Sequence, residues 1–414
     1  MAETEFFFPS NTGGTMYKDN AATVDNIDVF QNGDDKVRRQ RDGRYRAAWR
    51  IGNSPSGDQT IRLQAVLNHS SVKDLILDID ADITIDGTLT VPDGKRLVFQ
   101  NNCALTGSGT IKATGTGIPT VFSGKFVADR RAHIFKGSIT VNLPPESGQI
   151  SAAWFGAIPD NSADSYASLQ KSIDVCYATG VHSWHLPAGV YQLSKGLLFR
   201  KDNGSGDPLF SMNFQVTGER KSYGYNSPLS NSILVPAANT FGLAMDRGKG
   251  FVIKNLGFVG WNTAANKESN FYNIMENPAT TWVSAGVRDD SFSPHAAIVV
   301  DPFSNASTPT GKRYPGFSSF YVNSTAGGTT DVIVEDCFAA NFVVSYALTP
   351  HEFPQNGDHI RFKGCWSEAS KVGWSLGQSQ NRTISIRDCC CWGNTEVLVD
   401  CRRYGSGQQG TPEV

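Results

Sequence analysis

The hydrophobic pattern changes period along the chain. From Leu75 apolar and polar residues alternate through Leu75-Ile-Leu-Asp-Ile-Asp-Ala-Asp-Ile-Thr-Ile-Asp-Gly. Successive side chains of a strand point to opposite faces, so this period of two predicts strands with one buried face. Thr88-Leu-Thr-Val, the turn Pro92-Asp93-Gly94, Leu97-Val-Phe, Gly107-Ser-Gly-Thr-Ile-Lys and Phe135-Lys-Gly-Ser-Ile-Thr-Val continue the pattern. Short strands punctuated by Gly, Asp or Asn predict an all-β module over about 75–143. Two stretches keep a helical period instead. Thr60 to Leu67 predicts a short helix. Asp164 to Gly180 predicts a longer one, with Asp164 as N-cap, Gly180 past the end, and Leu169, Ile173 and Cys176 on one face. Pro144-Pro145-Glu-Ser-Gly reads as a linker before it, and His185-Leu-Pro-Ala-Gly-Val-Tyr-Gln-Leu returns to strand.

Further on, four segments superpose. They are Phe251-Val-Ile-Lys-Asn-Leu-Gly-Phe258, Val332-Ile-Val-Glu-Asp-Cys-Phe338, Ile360-Arg-Phe-Lys-Gly-Cys-Trp366 and Ile384-Ser-Ile-Arg-Asp-Cys-Cys390. Cys337, Cys365 and Cys389 mark steps of 28 and 24 residues, the length of one turn of a parallel β-solenoid. In each segment two inward apolar residues alternate with outward ones. A turn-forming residue follows (Asn255, Asp336, Gly364, Asp388), and then an inward position (Leu256, Cys337, Cys365, Cys389). Like positions stack, so the three cysteines are expected in one interior column, acting as small hydrophobes.

Composition narrows the classes. Charged residues are only 18% while Gly reaches 41, which excludes a coiled coil or a charged disordered chain and fits many strands and turns. The formal charge of −2 gives no basis for nonspecific nucleic-acid binding, and no apolar run approaches the roughly 18–20 residues of a membrane span. Eight cysteines, three of them consecutive (Cys389, Cys390, Cys391), fit reduced thiols rather than a disulfide scaffold, and no Cys–His set has zinc spacing. No cofactor and no metal are expected. The opening Met-Ala-Glu-Thr-Glu-Phe-Phe-Phe-Pro has neither a basic nor a long apolar stretch, so no secretory signal is expected. Between Lys36 and Arg50 lie seven cations, Lys36, Arg38, Arg39, Arg41, Arg44, Arg46 and Arg50, against one acid, Asp42, with Tyr45 and Trp49 interleaved. This run is either a solvated arm or a docking face for an acidic partner.

The solenoid repeat, Trp154-Phe155-Gly156-Ala157, the helix at 164–179, Leu186-Pro187-Ala188-Gly189-Val190-Tyr191, Ala297-Ile-Val-Val-Asp301-Pro302-Phe303 and Trp392-Gly393-Asn394…Tyr404-Gly405 together resemble one family. It is the right-handed parallel β-helix of the pectate-lyase-like superfamily, and in particular its phage tail-spike and tail-fibre members. The resemblance covers about 150–414. It implies an all-β fold: a β-helix over 148–414 closed by a cap helix, a smaller β-rich module over 59–147, and a virion-attachment region over 1–58. It also implies a homotrimer in the virion tail, made in the host cytoplasm. Its partners would be phage tail or baseplate proteins and a host-surface polysaccharide, with neither nucleic acid nor membrane insertion. The competing readings are an exported bacterial polysaccharide-degrading enzyme and a purely structural virion protein. Such relatives are usually followed by more chain after the Tyr-Gly segment, so a continuation beyond residue 414 is expected.

Many relatives cleave polysaccharides with carboxylates acting as acid, base or nucleophile. Asp289 and Asp290 form the most conspicuous pair, and Asp301 and Glu335 are single candidates. Lys254, Glu335, Lys363 and Arg387 fall in one outward column, either a cross-coil ion ladder or a charged groove for an acidic sugar. Phe338 and Trp366 follow the inward column and are expected on the outer side, where an aromatic ring can stack on a sugar, join an interface or be partly buried. His182 and His185 read as structural. The residues therefore leave enzymatic activity open.

Overall fold

In the computed structural model these alternating runs wind into stacked parallel coils. It describes residues 3–4, 16–18, 24, 29–32, 35–39, 43–113, 125–145, 148–202, 208–209, 211–220, 231–237, 240–245, 248–260, 296–300, 303–304, 322–323, 329–342, 344–348, 358–368, 370, 372–376, 383–392 and 397–400. The chain divides into two compact units. The first holds Met1–Gln149, Trp154–Gly156 and Ala178–Gly180, and the second holds Ile150–Ala153, Ala157–Tyr177 and Val181–Val414.

The first unit is itself a small parallel solenoid. Arg44–Arg46, Asp74–Leu77, Arg96–Phe99 and Lys125–Val127 form one parallel sheet. Asp82–Thr84 pairs with Ala104–Thr106, and Thr88–Val91, Thr110–Ala113 and Thr140–Asn142 make a third sheet. Arg96 pairs beside Asp74 and grips its carboxylate with two hydrogen bonds of 2.7 Å, a step of 22 residues. Leu75, Leu97, Ile83, Leu105, Leu89 and Ile111 line the interior without exposure. Each such burial is worth about 1.5–3 kcal/mol. Two helices precede these coils, α1 (Ala48–Ile51) and α2 (Thr60–Asn68). Residues 43–58, expected in the attachment region, fold with this unit: Tyr45 is fully buried in the edge strand and meets the Trp49 ring edge-on at 5.3 Å. Ahead of them, Glu3–Thr4, Met16–Lys18, Val29–Asn32 and Asp35–Arg39 form an antiparallel sheet.

The second unit is a three-faced parallel solenoid. Its first face stacks Ile150–Ser151, Ser183–Leu186, Gln215–Gly218, Val252–Lys254, Val332–Glu335, Ile360–Lys363 and Ser385–Arg387. The second stacks Asp160–Asp164, Gly189–Leu193, Ser232–Pro236, Leu256–Val259, Phe338–Ala340, Trp366–Glu368 and Cys390–Trp392. The third stacks Leu197–Phe199, Phe241–Met245, Ala296–Val300, Val344–Leu348, Val372–Ser375 and Val397–Asp400. The expected repeat registers as read, with Ile253, Val334, Phe362 and Ile386 in one inward column.

The corner after the first face has a backbone cause. Asn255, Asp336, Gly364 and Asp388 all take positive φ, between 54° and 61°. That left-handed conformation turns the chain to the second face and is open mainly to Asn, Asp and Gly. Just past it come Cys337, Cys365 and Cys389. The first two are buried as expected, while Cys389 is only half-buried. Inside the third face, Tyr346 and Trp374 stack at 5.1 Å, and the Tyr346 hydroxyl donates to the carbonyls of Cys337 (3.1 Å) and Trp366 (3.0 Å).

The third helix, α3 (Tyr166–Thr179), buries Leu169, Ile173 and Cys176 as the pattern predicts. Its Ser172 hydroxyl accepts from Trp184 Nε1 at 2.7 Å, and Gln170 bonds both the N–H and the carbonyl of Leu198. The N-cap is one residue later than expected, since Ser165 carbonyl accepts the first helical bond, from Leu169. Asp164 instead ties Tyr166 N–H to Ser194. Gly189 of the Pro-Ala-Gly stretch sits at φ 151°, and a Cβ there would collide with Pro159.

Candidate functional site

The outer side of the first face carries its polar chemistry. Ser151, His185, Thr217, Lys254, Glu335, Lys363 and Arg387 stand in register on successive coils, about 4.8 Å apart. Lys254 and Lys363 contact the two oxygens of Glu335 at 2.5 and 2.9 Å. Hydrogen bonds from Lys254 and then Lys363 hold the Glu335 carboxyl below the usual range. A carboxylate held by two ammonium groups is a poor proton donor, so Glu335 fits the ion ladder and does not fit a general acid. Arg361 and Arg387 are exposed and make no ion pair among the described residues. His185 is buried, with its ring nitrogens 2.8 Å from Glu219 Oε2 and 3.2 Å from Thr217 Oγ1, which fixes it as a structural residue.

The outer side of the second face is apolar. Val190, Ile233, Val235, Val259, Phe338 and Ala340 form a buried cluster against which Trp366 packs. Phe338 points outward as expected, yet it is only 1% exposed. It is therefore closed to a ligand, because the outer side of this face has a hydrophobic core of its own. Trp366 is half-buried at the edge of the cluster.

In register with Ala340 lies a residue the sequence reading passed over. Glu368 is 1% exposed, and neither carboxyl oxygen has a hydrogen-bond partner among the described residues. Burial raises its pKa to about 8. A carboxyl in this state is a neutral acid at pH 7, able to donate a proton or a hydrogen bond. The signal was present in the sequence: an acid follows Val235, Val259 and Ala340 in its outward column and precedes Trp392.

Asp289, Asp290 and Asp301 lie outside the described residues. In the basic run, Arg41 does as well, and Lys36, Arg38 and Arg39 fall on the strand Asp35–Arg39. Arg44 lies 3.8 Å from Asp74, and Arg46 contacts the Asp78 carboxylate, so two of the cations are already neutralised. Tyr45 is buried and cannot touch a docking partner, while Trp49 and Arg50 are half-buried. Among the described residues no group of three His, Cys, Asp or Glu could hold a metal ion. No helix among them is long and apolar enough to cross a membrane.

No protein-family model matches the chain, and no curated protein matches it. Among solved structures, a candidate glycosyl hydrolase from Parabacteroides merdae aligns at 12% identity with a TM-score of 0.28, over 59% of this chain and 94% of that one. The enzymatically active domain of tailspike protein 4 from bacteriophage CBA120 aligns at 12% identity with a TM-score of 0.27. That alignment spans 94% of this chain and 45% of the tailspike chain. Superpositions this loose say nothing about chemistry in the present chain.

Proposed function

We propose that the chain is a component of a bacteriophage tail spike or tail fibre, built on a right-handed pectate-lyase-like β-helix that recognises a host-surface polysaccharide. The observation that carries this reading is the outer ladder of the first face. It offers Arg361, Lys363 and Arg387 as exposed donors on a rigid sheet, an arrangement suited to hydrogen-bonding sugar hydroxyls or carboxylates along a strand. The sequence resemblance supplies the phage context. In this reading α3 closes the first coil, three copies assemble in the tail, and Lys36, Arg38, Arg39 and Arg41 contribute to docking on tail or baseplate proteins.

Depolymerisation is the second reading: Glu368 holds the proton a general acid requires, but at 1% exposure it is as closed to a polysaccharide as Phe338, so cleavage requires this face to be uncovered. Incubating the purified protein with host capsular polysaccharides tests both readings. Co-sedimentation that weakens several-fold in Arg387→Ala and Arg361→Ala supports recognition, and release of reducing ends, lost in Glu368→Gln, supports cleavage. Binding to a capsule that is unchanged in both arginine variants refutes the ladder as the contact surface.

A further inference from the structure

The cysteine column ends in a reactive arrangement. Each sulfur lies near the carbonyl two residues before it: Cys337 by Glu335 at 3.4 Å, Cys365 by Lys363 at 3.6 Å and Cys389 by Arg387 at 3.2 Å, with Cys365 also 3.3 Å from the Val334 carbonyl. The three side chains thus repeat one geometry on successive coils. The backbones beside them are joined as well, since Trp366 N–H donates to Cys337 carbonyl and Cys390 N–H to Cys365 carbonyl, both at 2.9 Å. Strands so paired lie about 4.8 Å apart, inside the Cα separations of about 4.4–6.8 Å that a disulfide spans.

What separates the members of the column is access. Cys337 and Cys365 are buried, whereas Cys389 is half-buried. Burial pushes the Cys337 thiol up to about 12 and holds the Cys365 thiol well above the ordinary value, so neither is a ready nucleophile. Cys389 differs, because a hydrogen bond from the Cys365 thiol lowers it. Asp388 opposes that effect and is the charged neighbour immediately before it. A lowered, reachable thiol next to a second thiol is the arrangement of redox-sensitive cysteine pairs.

We propose that Cys365 and Cys389 form an oxidisable dithiol, which a two-electron oxidant such as hydrogen peroxide converts to a disulfide stapling two consecutive coils. The Cys389 thiolate attacks a peroxide oxygen, the O–O bond breaks, and hydroxide leaves and takes up the thiol proton as water. The Cys365 sulfur then attacks the sulfenic sulfur of Cys389. The S–S bond forms, the S–O bond breaks, and the hydroxyl departs as a second water with the Cys365 proton. Two thiols and one peroxide give one disulfide and two waters. Cys337 takes no part, being buried behind Cys365. A protein assembled under reducing conditions and released into an oxidising medium would gain the staple after folding.

Peptide mapping of the native protein after peroxide and alkylation tests this. Trypsin releases Gly364–Lys371, which contains Cys365, and Asp388–Arg402, which contains Cys389, Cys390, Cys391 and Cys401. The expected product is these two peptides joined with the loss of two hydrogens, and fragmentation places the bond at Cys389. Cys389→Ser and Cys365→Ala should each abolish the linkage, and Cys390→Ser should keep it. The wild-type map decides the question without either variant. Cys365 recovered fully reduced, or oxidation confined to Cys390 and Cys391, overturns the proposal.

Discussion

Replacing Glu368 with glutamine keeps the shape of the side chain and removes its titration. The folded carboxyl has a pKa of about 8 against a reference of 4.5, both oxygens being buried without partners among the described residues. Between those two pH values the folded chain holds a proton that the unfolded chain has released. Folded-state stability is therefore greatest below the reference pKa, falls as pH rises through the window, and levels off above about 8. A displacement of roughly 3.5 pH units, at about 1.4 kcal/mol per unit, sets an upper limit on the order of 5 kcal/mol. Water penetration and local relaxation reduce it. Urea midpoints for the two proteins at pH 5, 6.5 and 8 should diverge, the wild type losing stability against Glu368→Gln as pH rises. Infrared difference spectra between them should show a protonated carboxyl band at pH 6.5 that vanishes with a midpoint near 8. Parallel stability curves, or a carboxylate band already present at pH 6, would refute the reasoning.

Three further outcomes follow from the same geometry. Gly364→Val places a β-branched residue at φ 61° and should destabilise the fold by about 1–2 kcal/mol in urea titrations, whereas Gly364→Asn should be nearly neutral. Tyr346→Phe removes the hydroxyl that bridges the carbonyls of Cys337 and Trp366, and should cost about 1–2 kcal/mol by the same assay. Timed alkylation of the reduced native protein should modify Cys390 first and Cys389 more slowly, with Cys337 and Cys365 protected until unfolding.

The solenoid of the second unit was legible because one sequence pattern recurs with its turn residue. The alternation around Ile253, Val334, Phe362 and Ile386 states the register, and Asn255, Asp336, Gly364 and Asp388 state the corner. The coiling of the first unit was harder to read. Its strands alternate just as well, but alternation is equally compatible with antiparallel hairpins, and the 22-residue step between Asp74 and Arg96 carries no shared motif. The burial of Phe338 was open for a related reason. Strand parity correctly assigns it to the outer side, but parity does not reveal whether water or other protein lies there. Register alone brings Lys254, Glu335 and Lys363 together in the expected ion ladder, whereas Arg387 stands in the column without an ion pair among the described residues.

These successes and failures point to where chemistry should be sought in such a chain. Interior positions of a coil are set by packing, so Tyr191, Leu234, Phe258 and Ala339 share one column, and the polar member Ser367 is met by the Ser345 hydroxyl. Outer positions are released from that constraint, and a residue there that contradicts its own column needs another cause. Lys254, Glu335 and Lys363 alternate in charge and satisfy one another, which accounts for them structurally. Glu368 follows three apolar members of its column, its carboxyl gains no partner among the described residues, and it bears a burial penalty that alanine would avoid. Stability does not explain its presence. The proton it retains distinguishes it from Glu335, which its two lysines account for, and so Glu368 is the carboxyl to test first.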